Sequence, residues 1–139
     1  MLSVNSFVYP IICFSDKVFR IYTSATELCT SSPASALTEG WFTNMIVIDS
    51  AGNNYRVLHA TKVGNAGWLW VGPLPIRKIK VELDVKHVAA DVSVDDVRQR
   101  MYNATIRWHG LESRTDFDEL KAAIDKAQTV AELIRIVAA

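Results

Sequence analysis

Cysteine is scarce in this 139-residue chain. Cys13 and Cys29 stand alone, too few and too isolated for a disulfide framework or a zinc site. They read as reduced, buried thiols, which suits a cytoplasmic protein. Long apolar runs are missing too. Nothing approaches the ~20 continuous apolar residues of a membrane-spanning helix, so no membrane is expected as a partner. The N-terminal MLSVNSFVYPIICF lacks a basic leader, and Asn5, Ser6 and Pro10 interrupt it, which argues for a first strand or an ordered arm rather than a signal peptide. An excess of either charge is absent: fifteen basic residues balance fifteen acidic ones. No global field draws nucleic acid, and none is expected as a partner. The phosphate-binding GxGxxG and Walker A patterns, the GxSxG elbow and the HExxH metal motif do not occur, and no cofactor or metal is expected.

What is present belongs to an ordinary globular domain, half apolar and 22% charged. A chain of this length forms one domain, 1–139, able to bury roughly two thirds of its unfolded surface. The charges are unevenly spread. Residues 1–76 carry eight (Asp16, Lys17, Arg20, Glu27, Glu39, Asp49, Arg56, Lys62), whereas the remaining 63 carry 22. A charge-poor half is either deeply buried or holds an interface, whose core is depleted in charge.

The segment Trp41–Val88 predicts three consecutive strands. Trp41 to Asp49 alternates with apolar residues on both faces, as a strand covered on both sides does. Asp49 to Asn54 supplies a turn, Tyr55 to Val63 a return strand, and Gly64–Gly67 a second turn. Gly72, Pro73 and Pro75 make the following GWLWVGPLP irregular. In the third strand Ile79, Val81, Leu83 and Val85 alternate with Lys78, Lys80, Glu82, Asp84 and Lys86, giving one wet face and lysines that protect an edge.

Before this block, Lys17–Thr23 predicts a strand, and Ser24 with Glu27 a capped short helix to about Ser31. After it the chain reads as helical. Ser93 caps a helix that carries Val94, Val97, Met101, Ala104 and Trp108 and stops at Gly110. Asp116 with Glu119, and Thr129 with Glu132, open two more. The expected architecture is α+β: an antiparallel β-meander of about four strands with two or three C-terminal helices packed on one face.

Candidate chemistry is sparse. His59 is mid-strand, His87 ends a strand, and His109 sits by a helix C-terminus, none with ligand-spaced partners. Gly64–Gly67 matches the GxxG of KH loops, but it joins strands and only Lys62 is basic nearby. DSAGNN lacks the acidic spacing of a calcium loop. Asn103-Ala104-Thr105 is a formal glycosylation sequon inside a helix. Two acidic groups flank helix starts: Asp91, Asp95 and Asp96, then Glu112, Asp116, Asp118 and Glu119. First-turn acids complement the helix dipole, and the functional alternative is an acidic patch that meets a basic partner. Trp41 and Trp108 fall on apolar faces. Trp68 and Trp70, two apart in an extended segment, share a face and are either core or an interface anchor.

The segment IVIDSAGNNYRVLHATKVGNAGWLW, followed by KIKVELDV and a capped C-terminal helix pair, resembles small bacterial immunity proteins associated with polymorphic and contact-dependent toxins. The resemblance spans about residues 40–105. It implies a protein that binds a toxin domain, occludes it and has no catalysis of its own. Inhibitors of nuclease toxins are often acidic, and this chain is neutral. The expectation is therefore a non-enzymatic cytoplasmic binding protein with a protein partner. Its contacts would come from Trp68, Trp70 and the acids Asp91, Asp95, Asp96, Glu112, Asp116, Asp118 and Glu119. The alternatives are a self-assembling homodimer, or an enzyme site assembled from Asp49, Tyr55 and His59.

Overall fold

Alternating apolar residues on both faces of the first strand decide how the layers stack. The computed structural model describes residues 3–16, 18–104 and 117–138. In it, β1 (Ile11–Ser15) and β2 (Val18–Tyr22) form an antiparallel hairpin with Ile11 opposite Tyr22. Two short helices follow, α1 (Ala25–Thr30) and α2 (Ser35–Thr38). The chain then returns beside β1 as β3 (Ile46–Ile48) and continues into two long strands, β4 (Asn54–Val71) and β5 (Leu74–Ala89). The sheet is antiparallel throughout, in the order β2-β1-β3-β4-β5.

Because side chains alternate across a strand, β1 serves two cores. Ile11 and Cys13 join Tyr22, Leu28 of α1, Ala36 of α2, Phe42, Met45 and the inward residues of β4 and β5. Ile12 and Phe14 face the opposite way, into a second core. That core is closed by α3 (Val94–Asn103), α4 (Phe117–Lys126) and α5 (Val130–Ala138), through Val97, Met101, Leu120, Ile124, Leu133 and Ile134. The protein is thus an α+β fold with its C-terminal helices on one sheet face, as the sequence predicts. The other face, which the periodicity did not assign, is covered by α1, α2 and the N-terminal segment. No helix among the described residues is long and apolar enough to cross a membrane.

The helix starts follow the capping pattern. Ser24, Ser93 and Thr129 accept from the backbone N–H of Glu27, Asp96 and Glu132, each at 3.1 Å. Glu27 and Glu132 reach one residue further back than a standard capping box, to the N–H of Thr23 and Gln128.

Three local expectations fail for identifiable reasons. Trp41–Asn44 is a turn, and only Ile46–Ile48 of the predicted first strand pairs. Asn44, at φ +55°, breaks the extended chain there. Gly64–Gly67 is no turn but lies within β4, at register shifts Lys62/Gly64 and Asn65/Gly67. Glycine marks bulges as readily as loops, and Gly67 at φ +108° occupies a conformation that side chains disfavour. The true turn is Gly72–Pro73, with Gly72 at φ +60°, so the segment expected to be irregular forms the tip of one long hairpin. Finally, α3 ends at Asn103 with Ala104 as its C-cap, before the predicted stop. Trp108, His109 and Gly110 lie outside the described residues.

Candidate functional site

The β4–β5 hairpin is longer than the core it serves. Val57, Val81, Leu83, Val85 and Ile79 are buried, and Ile79 is the last of them toward the tip. Beyond the Asn65–Ile79 pair the two strands run on as an arm to Gly72–Pro73. Its register sets Trp68 opposite Arg77 and Trp70 opposite Pro75, on the face that further down carries Ile79 and Val81. Trp68 is 53% exposed, Trp70 66% and Leu74 60%. The tryptophans expected to be core or interface are therefore outside the core. The Arg77 guanidinium lies over the Trp68 ring, 4.5 Å from its centroid, a cation–π contact that fixes charge beside aromatic surface.

At the foot of the arm, α1 and Val4 enclose an open groove of about 590 Å³ against β4 and β5, lined in part by Cys29, Val63, Lys80 and Glu82. Pro33 bridges to Lys78, and Ile79 donates its N–H to the Ser32 carbonyl at 2.9 Å. The chain after α1 thus braces the arm where it leaves the globule.

The acidic candidates are placed elsewhere. Asp91, Asp95 and Asp96 are exposed at the far end of β5 and the start of α3, roughly 40 Å of strand from Arg77. Asp95 is ion-paired with Arg98, and Asp96 with Arg100 at 3.4 Å. Both act on their own helix. Asp118 and Glu119 are exposed in the first turn of α4. Arg98 donates to the carbonyls of Ile124 (3.0 Å) and Ala127 (2.6 Å), so the start of α3 lies beside the end of α4. Asp95 and Asp96 on one side and Asp118 and Glu119 on the other therefore sit at opposite ends of the helix pair. Glu112 and Asp116 lie outside the described residues.

Of the residues considered for an enzyme site, His59 is set apart from Asp49 and Tyr55. Asp49 is fully buried and accepts from the N–H groups of Val8 (3.1 Å), Ala51 (3.1 Å) and Asn53 (3.0 Å). Tyr55 packs on Phe7 with ring centroids 4.7 Å apart, and its phenol is pushed up by burial and then by the Asp49 carboxylate. His59 is exposed and pairs across the strands with Asp84. Register places it on the face opposite Tyr55 and Val57. His87 meets Asn53 at 3.3 Å and stacks edge-on against Tyr55. Burial pushes both thiols, Cys13 and Cys29, upward, away from the thiolate form that reacts or ligates. Among the described residues no three His, Cys, Asp or Glu side chains gather to hold a metal ion.

What the whole-chain charge balance concealed is local sign. Between Asp49 and Glu82 there is no acidic residue, yet Arg56, Lys62, Arg77, Lys78 and Lys80 fall there. A windowed count by sign would have found the arm's cations where a count by halves did not. The arm offers ring faces, apolar surface and fixed positive charge, which are means of recognition. Comparison with protein-family models, with curated proteins and with solved structures finds no match for this chain.

Proposed function

We propose that this chain is a non-enzymatic binding protein that works by holding a protein partner, with the β4–β5 arm as its main contact. The observation that carries this is the exposed tryptophan pair on one face of a hairpin that outruns the core. Large rings at the surface cost solvation energy that the fold does not recover. Covering what is exposed of Trp68 and Trp70 would return about 3 kcal/mol each at ordinary area coefficients. A micromolar complex needs about 8 kcal/mol in all, so two such anchors supply a large share before association costs. Tryptophan and arginine are also the side chains most enriched at binding hot spots, and here they are stacked together.

The sequence resemblance makes a bacterial toxin domain the first partner to test, with neutralisation by occlusion in the cytoplasm as the mode of action. The exposed acids at the two ends of the helix pair are secondary contacts in this reading, and Asp91, Asp95 and Asp96 lie at the opposite end of β5 from the arm. The experiment is co-expression with the toxin domain encoded nearest the gene. Growth should be rescued and the two proteins should co-purify. Continued killing with no co-purification would end the proposal.

A further inference from the structure

We propose that the surface received by the arm is a cleft in a protein, apolar at its floor and acidic at its rim. This rests on the binding role just described and adds the chemistry of the partner.

From Ala66 to Ile76 the hairpin carries no charged residue. Its backbone register pairs Leu69 with Ile76, Trp70 with Pro75 and Val71 with Leu74, all of them apolar residue types. Immediately behind this tip stand Arg77, Lys78, Lys80 and Lys62, with no acid in the intervening chain. By register Arg77 and Lys62 stand on one face and Lys78 and Lys80 on the other, so positive charge encircles the base. Among the described residues the side-chain ion pairs are Arg98–Asp95 and Arg100–Asp96, and none of these four cations belongs to one. An apolar peg with a cationic collar fits an apolar socket with an anionic rim. A second copy's arm presents the same positive collar and is repelled.

Three anionic surfaces share that description, and the backbone separates them. β3 pairs with β4 only as far as Arg56, and the bracing of β5 by Pro33 ends at Lys78. From Trp68 to Arg77 both outer edges of the hairpin therefore carry backbone N–H and C=O groups with no strand partner among the described residues. Hydrocarbon cannot satisfy such edges, each unpaired group costing several kcal/mol, whereas a protein cleft supplies donors and acceptors or an added strand. Single-stranded nucleic acid binds where cations run alongside the stacking rings. Here Lys62, Lys78 and Lys80 stand behind the rings, toward the globule, and Arg77 alone lies against one of them.

The test is titration of the purified protein, followed by tryptophan fluorescence, with three probes: poly-L-glutamate, phosphatidylcholine–phosphatidylglycerol vesicles, and a thymidine oligonucleotide. Poly-L-glutamate should bind tightest, and its affinity should fall roughly tenfold or more as salt is raised past physiological strength. Arg77→Glu/Lys78→Glu should lose at least about tenfold of that affinity, while Lys121→Glu/Lys126→Glu on α4 should keep it, both variants with unchanged thermal melting. Tighter binding to vesicles or to the oligonucleotide, no binding to poly-L-glutamate, or indifference to Arg77→Glu/Lys78→Glu overturns the inference. The binding role itself is judged separately: partner capture lost in Trp68→Ala/Trp70→Ala but kept in Arg77→Glu/Lys78→Glu would leave the arm as the contact and remove the acidic cleft.

Discussion

Asp49 shows how one side chain can look like chemistry and serve structure. A carboxylate near a tyrosine and a histidine in sequence invites a catalytic reading. In the fold it is fully buried and takes three backbone N–H groups, tying Val8 of the N-terminal segment to the turn between β3 and β4. Charged acceptors of this kind contribute about 1.5–3 kcal/mol per bond, and losing the carboxylate leaves its donors unpaired. Asp49→Ala should therefore lower stability by about 3 kcal/mol, read as a lower urea midpoint with unchanged slope. Asp49→Asn, which keeps one acceptor oxygen, should lose less. Sequence spacing placed Asp49 at a turn correctly but could not show that the turn folds inward over its side chain, because that depends on a contact 41 residues away.

Among the elements, the helices were the most legible. Ser24, Ser93 and Thr129 cap where the spacing with Glu27, Asp96 and Glu132 predicts, since capping is settled within four residues. Ser93→Ala should cost about 1 kcal/mol of global stability by thermal or urea melting. The role of Arg98 was not legible, because its guanidinium reaches across to α4 as well as along its own helix. It satisfies the last carbonyls of that helix while pairing with Asp95. Arg98→Ala should cost about 2 kcal/mol, more than the Ser93 cap, and Arg98→Lys should not fully restore it. The strands were legible in face and misread in length. The alternation from Ile79 to Val85 gave the buried face correctly, and β5 is the sheet edge that its lysines suggested. The glycines at positions 64 and 67 imitate a turn because glycine marks bulge and turn alike, and Gly67, at φ +108°, takes within a strand the conformation a turn would use. Only the pairing with β5 distinguishes them.

At the scale of the whole molecule, two cores flank one sheet and an arm stands clear of both. The cores bury groups that must stay protonated. Burial, ahead of any charge effect, pushes up the Cys13, Cys29, Tyr9, Tyr22 and Tyr55 groups. It also pushes Tyr102 up to about 12, with the Asp125 carboxylate adding to the shift. The folded state thus holds these protons more tightly than the unfolded chain, which releases its own from about pH 8.5 upward for cysteine and about 10 for tyrosine. The stabilisation is fully present below those values and is lost as pH rises through them. Urea midpoints should be flat between about pH 7 and 8 and fall steadily toward 11. A midpoint unchanged at pH 10.5 would contradict the burial assigned to these groups. The arm takes no part in that chemistry, and its independence from the cores is what makes it separable by mutation. The central claim is that Trp68 and Trp70 are there for a partner and not for the fold. Calorimetric titration of the toxin domain onto the wild-type protein and onto Trp68→Ala/Trp70→Ala tests it most directly. The account predicts affinity lowered about a hundredfold or more, with unfolding free energy within about 0.5 kcal/mol of wild type. Unchanged affinity, or a variant that loses stability as a core substitution does, would contradict it.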